Sequence, residues 1–434
     1  MELAVIALLL TFIVLLLLHV PISISIGMAT LVAMLFTIDF MPAVTTIAQR
    51  MAGGVDSFAL LAIPFFILSG LLMGRGGIAH RLIEFAKVII GMVPGGLAFV
   101  NVISCTLFGA ISGSAVAATS AVGGFMIPAM EEAGYDRNFN AAITVTSSTT
   151  GLLIPPSNIL IIYSLASGGV SIAALFVAGY LPGLLVALSL MVVCAIYSKI
   201  HSFPVGKKPT LREFVKKSLD AIPSLLLIFI IIGGIIAGVF TATEAGVVAV
   251  LYSLLLSVVV YKEVKVSDLP DILLKAVETT SIVMLLIGTS TALSWMLSYE
   301  NIPQAISSGL LGISDNPFII LLTINLILLC VGVFMDMTPA VLIFTPIFLP
   351  VAVQLGMSPL HFGIMMVLNL CIGLCTPPVG SVLFVGCSIA RTSIASLIRP
   401  LLPMYFAMIV ALMMITYIPW ISESLPIYFG LYEK

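Results

Sequence analysis

The sequence predicts an all-α integral membrane protein of two inverted repeats, with about ten transmembrane crossings and two re-entrant helical hairpins. Three observations support this fold class. Only 8% of the 434 residues are charged, against about 25% in an ordinary globular protein. Apolar stretches long enough to cross a bilayer recur, and helix-breaking residues repeat at a fixed spacing. A soluble protein could not cover its surface with so few charges, and a net charge of -2 does not favour nucleic-acid partners.

The repeat is read from residues that recur 222 positions apart. Pro128 is matched by Pro350, and Gly134 by Gly356. The run Gly151–Pro156, with its double proline, is matched by Gly373–Pro378. One register that spans the chain indicates an internal duplication, with repeats at 1–200 and 221–434 and a basic linker at 201–220.

The first repeat is expected to begin with scaffold helices, because apolar stretches of about 20 residues can cross the hydrocarbon. Region 97–168 is apolar but interrupted by Gly, Pro, Ser, Thr and Asn. Since irregular backbone in lipid survives only inside protein or at a wet cavity, we predict a hairpin and a broken helix there. The predicted elements are scaffold helices within 1–74 (Leu3–His19, Ile22–Phe40 and Ser57–Gly74), an arm at 78–92, a hairpin at 97–131, a broken helix at 138–168 and a closing helix at 173–200.

The second repeat follows the same order. Its predicted elements are scaffold helices within 224–297 (Ser224–Phe240, Ala245–Tyr261 and Ser281–Leu297), an arm at 302–314, a hairpin at 317–357, a broken helix at 361–390 and a closing helix at 397–418. A hairpin returns to its own side, so each repeat crosses five times. Because five is odd, the second copy enters the membrane upside down.

The orientation follows from the basic residues of the linker region. They are Lys199, Lys207, Lys208, Arg212, Lys216 and Lys217, the densest basic run of the chain. Cytoplasmic loops are enriched in Lys and Arg, so we place the linker inside and both termini in the periplasm.

No residue pattern indicates catalysis or a cofactor. The four histidines lie far apart in sequence, and Cys371 and Cys375 have no His or carboxylate partner, so we expect packing rather than a transition-metal site. There is no Walker loop to hydrolyse ATP.

Two clusters are predicted to bind ligands. In the first, the double proline of 151–158 frees backbone carbonyls that a dehydrated cation could use together with the hydroxyls of Ser112 and Ser114. The second contains Gly332, Asp336 and Thr338 beside 373–380. An ionisable residue in the apolar region 319–353 marks a functional site by default, although an aspartate at a turn that reaches water remains the alternative.

The same clusters are expected to bind an anion. Broken helices leave N-termini with free amide donors, which hold a carboxylate without an arginine. The residues expected to contact such a substrate are Ser114, Ser147, Thr150, Asn158 and Asp336.

Several segments resemble the large membrane subunit of TRAP (tripartite ATP-independent periplasmic) transporters. They are FALLAIPFFILSGLLMGRGG at 58–77, FGAISGSAVAATSAVG at 108–123, IPAMEEAGY at 127–135, GLLIPPSN at 151–158, FMDMTPAVLIFTPIFLP at 334–350 and GLCTPPVG at 373–380. The resemblance covers essentially the whole chain and is strongest to the sialic-acid branch, while dicarboxylate and other sugar-acid or keto-acid branches share the motifs.

The resemblance implies an elevator-type secondary transporter of the bacterial inner membrane, in which a transport domain slides against a scaffold. It implies a periplasmic substrate-binding protein and a small membrane subunit, here expected as a separate chain, as partners. It also implies two sodium sites, one formed by Ser112, Ser114, Gly151, Ile154 and Pro156, the other by Gly332, Asp336, Gly373, Thr376 and Pro378.

Two other classes of protein share some of these features. An ion channel also tolerates broken helices around carbonyl-lined sites, but an inverted duplication favours a transporter. A membrane-embedded hydrolase would need a nucleophile with a base or a paired acid, and Asp336 has no acidic neighbour in its region.

Overall fold

The computed structural model describes residues 2–206, 208–312, 314, 316–377 and 380–433. These residues form helices joined by short loops, and the one β-bridge among them joins Pro94 to Val205. The helices of the first half are α1 (Glu2–Leu17), α2 (Ile22–Met34), α3 (Phe40–Val55), α4 (Ala62–Arg75), α5 (Ile78–Ile90), α6 (Gly96–Ser112), α7 (Ala115–Glu132), α8 (Arg137–Thr150), α9 (Asn158–Ala166), α10 (Ile172–Ala178) and α11 (Tyr180–His201).

The second half contains ten further helices. They are α12 (Leu211–Ile236), α13 (Ala242–Leu254), α14 (Leu269–Tyr299), α15 (Ile302–Leu311), α16 (Pro317–Phe334), α17 (Met337–Gln354), α18 (Pro359–Leu374), α19 (Ser381–Ala390), α20 (Ile394–Tyr417) and α21 (Trp420–Tyr428). A π-helix at Leu255–Val260 extends α13, and short 3₁₀ helices precede α4 and α14.

Several helix bounds recur at the spacing read from the sequence. Helices α7 and α17 begin and end 222 residues apart, at Ala115 and Met337 and at Glu132 and Gln354. Helices α6 and α16 also end 222 residues apart, and α8 and α18 begin at that spacing. Equivalent breaks in the sequence therefore produce equivalent turns.

The predicted second span, Ile22–Phe40, is wrong. Helix α2 ends at Met34, and a new helix, α3, begins after Asp39. Asp39 adopts the extended backbone of an N-cap residue (φ -60°, ψ 154°), which starts a helix rather than continuing one. Helix α3 was missed because its apolar residues occupy one face only, so it shows no continuous apolar run.

Other boundaries shift at helix ends. Helix α12 begins at Leu211, inside the predicted linker, because the Thr210 hydroxyl accepts from the Glu213 amide while the Glu213 carboxylate accepts from the Thr210 amide. Helix α14 begins twelve residues before the predicted Ser281 and is 31 residues long. Helix α21, which follows α20, was not predicted.

Eight helical segments of the described residues are long and apolar enough to cross a membrane. Helices α16 and α17 are among them, whereas α1 and α2 are shorter. The elements assigned above to scaffold, arms, hairpins and closing helices remain predictions.

The centre of the molecule is formed by α8 and α18, whose side chains are buried on all faces. The two helices meet where the Cys371 thiol lies 3.4 Å from the carbonyl oxygen of Thr149, its counterpart 222 residues earlier. A helix that is buried all round belongs to a core rather than to the lipid boundary. Both interrupted helices therefore run through the protein interior from Phe139 and Leu360 onward, with the other helices packed around them.

Charged side chains pair at one end of the molecule. Arg75 at the end of α4 lies 2.5 Å from Asp271 at the start of α14. Lys217 of α12 lies 3.1 Å from Glu84 of α5, and Arg81 of α5 lies 3.5 Å from Glu263. These pairs bring the linker end of α12 to the same side as α5 and the ends of α4 and α13.

Candidate functional site

One cavity of about 380 Å³ lies where the α6–α7 turn, the α16–α17 turn and both interrupted helices meet. Its polar lining comes from Ser112, Ser114, Asn158, Thr279, Asp336, Thr338 and Ser381, and the rest is largely aliphatic. This volume lies within the range of about 300–1,000 Å³ that is typical of small-molecule sites.

The first turn is built by Gly113, which ends α6 in the left-handed region at φ 63°. Ser114 then starts α7, and its hydroxyl accepts from the Ala117 amide at 3.2 Å. The Ser112 hydroxyl donates to the Ser114 carbonyl oxygen at 3.3 Å. A Cβ at Gly113 would lie 3.1 Å from the side-chain nitrogen Nδ2 of Asn158, so the turn lies directly against the start of α9.

The second turn presents Asp336. This residue starts α17 in extended backbone (φ -66°, ψ 159°), and its Oδ1 is 3.5 Å from the Thr338 amide. The side chain is exposed and lines the cavity. It occupies the place that Ser114 holds in the first turn, so the two turns present one carboxylate and one hydroxyl.

Each interruption begins next to one glycine, Gly151 at the end of α8 and Gly373 at the end of α18. Helix α8 gives way after Thr150 to irregular backbone that ends at α9, and the Ser157 hydroxyl donates to the Leu152 carbonyl oxygen at 2.5 Å. Beyond α18, the Thr376 hydroxyl donates to the Ile372 carbonyl oxygen at 2.7 Å, and the Tyr405 hydroxyl donates to the Cys375 carbonyl oxygen.

Glycine pairs bring these interruptions against the hairpins. A Cβ at Gly151 would lie 2.5 Å from the Cα of Gly109 on α6. A Cβ at Gly373 would lie 2.5 Å from the Cα of Gly332 on α16. Only glycine permits such a backbone approach, and it places the C-terminal ends of α8 and α18 beside the two turns.

The structure therefore brings Ser112, Ser114, Asn158 and Asp336 of the predicted site into one cavity. Gly332, Gly373, Gly151, Pro156 and Thr376 belong to the adjoining helix ends and do not line it. The Ile154 side chain lines a separate apolar cavity of about 650 Å³. Pro378 lies outside the described residues.

Two predicted substrate contacts lie deeper. Ser147 and Thr150 are buried in α8, and their hydroxyl oxygens have no hydrogen-bond partner among the described residues. Buried hydroxyls are normally satisfied, so these two are available to a ligand or water that reaches the end of α8.

Sequence reasoning missed Ser381 and Thr279. Ser381 is the first residue of α19, lines the cavity, and has a buried hydroxyl oxygen without a partner among the described residues. Its position next to the interruption after α18 was the available signal. Thr279 lies on α14, far from either cluster in sequence, and no motif marks it.

The electrostatics of the cavity come from helix ends. The first residues of α7, α9, α17 and α19 all line it, so four partly positive N-termini face one space. Asp336 is the only ionisable residue among the described lining residues. The arrangement offers amide donors to an anion and a carboxylate with hydroxyl oxygens to a cation.

The comparisons with known proteins agree with this architecture. The DctM component family of tripartite ATP-independent periplasmic transporters matches residues 9–421. The uncharacterized protein YgiK of Salmonella typhimurium is 54% identical over 97% of this chain and 96% of its own length. The C4-dicarboxylate TRAP transporter large permease protein DctM of Pseudomonas aeruginosa is 40% identical over 94% of this chain and 95% of its own length.

A second named transport protein is equally similar. The sialic acid TRAP transporter large permease protein SiaM of Vibrio cholerae is 40% identical over 87% of this chain and 88% of its own length. Among solved structures, the YdaH transporter of Alcanivorax borkumensis shares the fold with a TM-score of 0.62 at 15% identity, covering 95% of this chain and 97% of that one. The predicted family is confirmed: the chain belongs to the DctM family, the large permeases of tripartite ATP-independent periplasmic transporters.

Proposed function

We propose that this permease imports an organic acid, with sialic acid as the first candidate, and that a sodium gradient drives the import. The observation that carries the proposal is the cavity where four helix N-termini converge around Asp336 without a lining Lys or Arg among the described residues. Such a site binds a carboxylate through amide donors and leaves the remaining charge to be balanced by cations that travel with it.

The first sodium is assigned to Ser112, Ser114, Gly151, Ile154 and Pro156, and the second to Gly332, Asp336, Gly373, Thr376 and Pro378. The two glycine contacts support this assignment, because they place the carbonyl-rich ends of α8 and α18 beside the two turns. Hydroxyl, carbonyl and carboxylate oxygens are the ligands that hard cations prefer.

The substrate is assigned to the space between these clusters. Ser114, Asn158 and Asp336 line it, and Ser147 and Thr150 lie buried at the neighbouring end of α8. Ser381 joins the set, since its unpartnered hydroxyl is well placed to bond a polar group of the substrate.

The motion is assigned to an elevator built on two inverted repeats. The recurring helix bounds of α6–α8 and α16–α18 support a duplication. In this arrangement the hairpins and broken helices move together past the scaffold helices of both repeats. Clustering of Arg75, Arg81 and Lys217 at the linker end supports a cytoplasmic linker with periplasmic termini.

The proposed transporter has two further protein components. A periplasmic binding protein delivers the acid, and a small membrane subunit supports this permease. Family membership supports both assignments. A C4-dicarboxylate is the alternative substrate, because the dicarboxylate and sialic-acid relatives are equally identical to this chain.

The test is sodium-driven uptake in proteoliposomes that contain the permease, its small subunit and its binding protein. Asp336→Ala is expected to reduce uptake by about tenfold or more, the factor that corresponds to about 1.4 kcal/mol of binding free energy. Asp220→Ala, an exposed aspartate of α12 outside the cavity, is the control and should leave uptake unchanged. Normal uptake by Asp336→Ala at low sodium would contradict the sodium role.

The substrate and the partners are tested in the same system. Sialic acid and a C4-dicarboxylate are titrated into the isolated binding protein and then offered to the full complex. Preference for the dicarboxylate would replace sialic acid within the same proposal. Uptake by the permease alone, without its two partners, would overturn the tripartite assignment.

A further inference from the structure

A second polar cluster lies at the N-terminal end of α18, where His361 is thirteen residues before Leu374, the last residue ahead of the interruption that borders the cavity. His361 is completely buried there, and Glu423 of α21 is 3% exposed. Their hydrogen-bonding neighbours are Ser358, Ser422 and Thr416. The transport proposal uses none of these residues, yet a buried imidazole beside a buried carboxylate is expensive unless each is bonded.

Each ring nitrogen of His361 has an oxygen atom within hydrogen-bond distance. His361 Nε2 lies 3.2 Å from the carbonyl oxygen of Thr416, and Nδ1 lies 2.5 Å from the hydroxyl oxygen of Ser422. A carbonyl oxygen only accepts, so Nε2 carries a proton and donates. The protonation state of His361 is therefore decided at Nδ1.

The Ser422 hydroxyl can serve either protonation state. When Nδ1 is bare, the hydroxyl donates to it. When Nδ1 carries a proton, Nδ1 donates to the hydroxyl oxygen, and the hydroxyl turns its own hydrogen to the Pro419 carbonyl oxygen 3.2 Å away. One rotation of a hydroxyl thus satisfies both the neutral and the charged imidazole.

Glu423 supplies a charge to balance the imidazolium. It directly follows Ser422 in the chain, and its Oε1 accepts from the Ser358 hydroxyl at 2.5 Å. Ser358 is also the N-cap of α18 and accepts from the His361 amide at 3.1 Å. Carboxylate, serine and imidazole therefore tie α21 to the first turn of α18.

The helices packed against α18 carry other titratable groups besides Glu423. Four of them have partners of their own: Tyr163 of α9 bonds to the Pro359 carbonyl oxygen, Tyr417 and Tyr405 of α20 bond to the carbonyl oxygens of Phe318 and Cys375, and Arg137 of α8 pairs with Glu131. The others that the structure describes are Arg399 near the start of α20, Tyr428 at the end of α21, Cys330 of α16 and Cys387 of α19. Among the described residues, Glu423 is the carboxylate that bonds to the N-cap of α18.

We propose that His361 is a binding site for one proton, with Ser422 as its switchable partner and Glu423 as its counter-charge. Imidazole titrates near neutral pH, so the site changes its charge within the range that a bacterial envelope experiences. In the charged state the imidazolium and the carboxylate strengthen the attachment of α21 and the end of α20 to α18. The stability of this end of the molecule then depends on pH, whatever the substrate.

The first experiment follows the thermal unfolding midpoint of the purified full chain in detergent from pH 5.5 to 8.5, without substrate. We expect a midpoint that falls as the pH rises through the imidazole range. His361→Gln keeps a donor and an acceptor but cannot charge, so this single-proton step should disappear. His80→Gln, on α5, is the matched control and should retain it. A step of unchanged size in His361→Gln would overturn the proposal.

A second measurement avoids substitution of the site itself. In a variant with His19, His80 and His201 replaced by Gln, His361 is the remaining histidine. Its ¹⁵N-labelled ring nitrogens are expected to shift with pH along a one-proton curve, and Glu423→Gln should displace that curve. Ring shifts that stay constant from pH 5.5 to 8.5 would contradict proton binding. Both measurements are made without substrate and sodium, so their outcome does not depend on the proposed transport function.

Discussion

Pairs of glycines set the close contacts of α8 with α6 and of α18 with α16. Gly373 meets the backbone of Gly332, and Gly151 meets that of Gly109, at distances that leave no room for a side chain. Because both glycines end a helix at the proposed ion sites, a methyl group there would separate the carbonyls from the turn.

We therefore expect Gly373→Ala to lower the free energy of unfolding by about 1–3 kcal/mol, the usual effect of overpacking, and to raise the sodium concentration needed for uptake. Gly124→Ala, on the open face of α7 with nothing within 4 Å of its new methyl group, is the matched control. It should be neutral or slightly stabilising, because alanine favours a helix by about 0.5–1 kcal/mol. SDS-induced unfolding and sodium-dependent uptake measure both effects; equal behaviour of the two variants would refute the close-contact argument.

Asp336 is the site residue that the sequence marks most clearly. An ionisable side chain in a long apolar region was enough to predict a site, and it lines the cavity. Ser381 lines the same cavity, but one serine among many polar residues carries no such signal. The free-energy cost of placing the side chain in lipid distinguishes the aspartate and not the serine.

The arm helix α5 is held to α12 by an ion-paired contact. Glu84 lies 3.0 Å from Lys87 and 3.1 Å from Lys217, with 22% of its side chain exposed. Partial burial alone would raise the pKa of Glu84, but the hydrogen bonds and charges of Lys87 and Lys217 together lower it. A lowered pKa means that folding favours the ionised carboxylate.

Glu84→Gln is accordingly expected to reduce the free energy of unfolding at pH 7 by about 0.5–1 kcal/mol. The contribution is fully present above the unfolded pKa of about 4.3 and is lost as the pH falls through the lower folded pKa, so the two proteins should converge in acid. Glu132→Gln, an exposed position at the end of α7, is the control. A difference that persists below pH 3 would contradict the assignment to this carboxylate.

At the level of elements, the interruptions of helices were easier to predict from the sequence than the lengths of the helices. The two double-proline runs predicted the interruptions that follow α8 and α18, because two adjacent prolines remove two backbone donors from a helix. The start of α12 and the length of α14 were missed, since polar residues that follow a cap still form a helix when it projects beyond the lipid. A search for continuous apolar runs does not detect helix α3, because an amphipathic helix carries its apolar residues on one face only.

At the scale of the whole molecule, orientation is the property most open to test. In a Cys330→Ser background, which removes the exposed native cysteine, Lys208→Cys is expected to react with an impermeant maleimide only in inside-out vesicles. Tyr428→Cys, an 81% exposed position on α21, should react only in right-side-out vesicles. Labelling of Lys208→Cys from outside would reverse the proposed topology.

Residue chemistry alone predicts a membrane protein, its interruption at two equivalent places, and Asp336 as the ionisable residue expected at a site. Those conclusions follow from local chemistry, since desolvated charge and broken helical hydrogen bonds are costly wherever the chain places them. The packed helices add what no local pattern predicts: four helix N-termini share one cavity, Thr279 and Ser381 line it, and His361 bonds to Ser422. Such neighbours come from helices far apart in the chain, and only their packing brings the polar atoms within bonding distance.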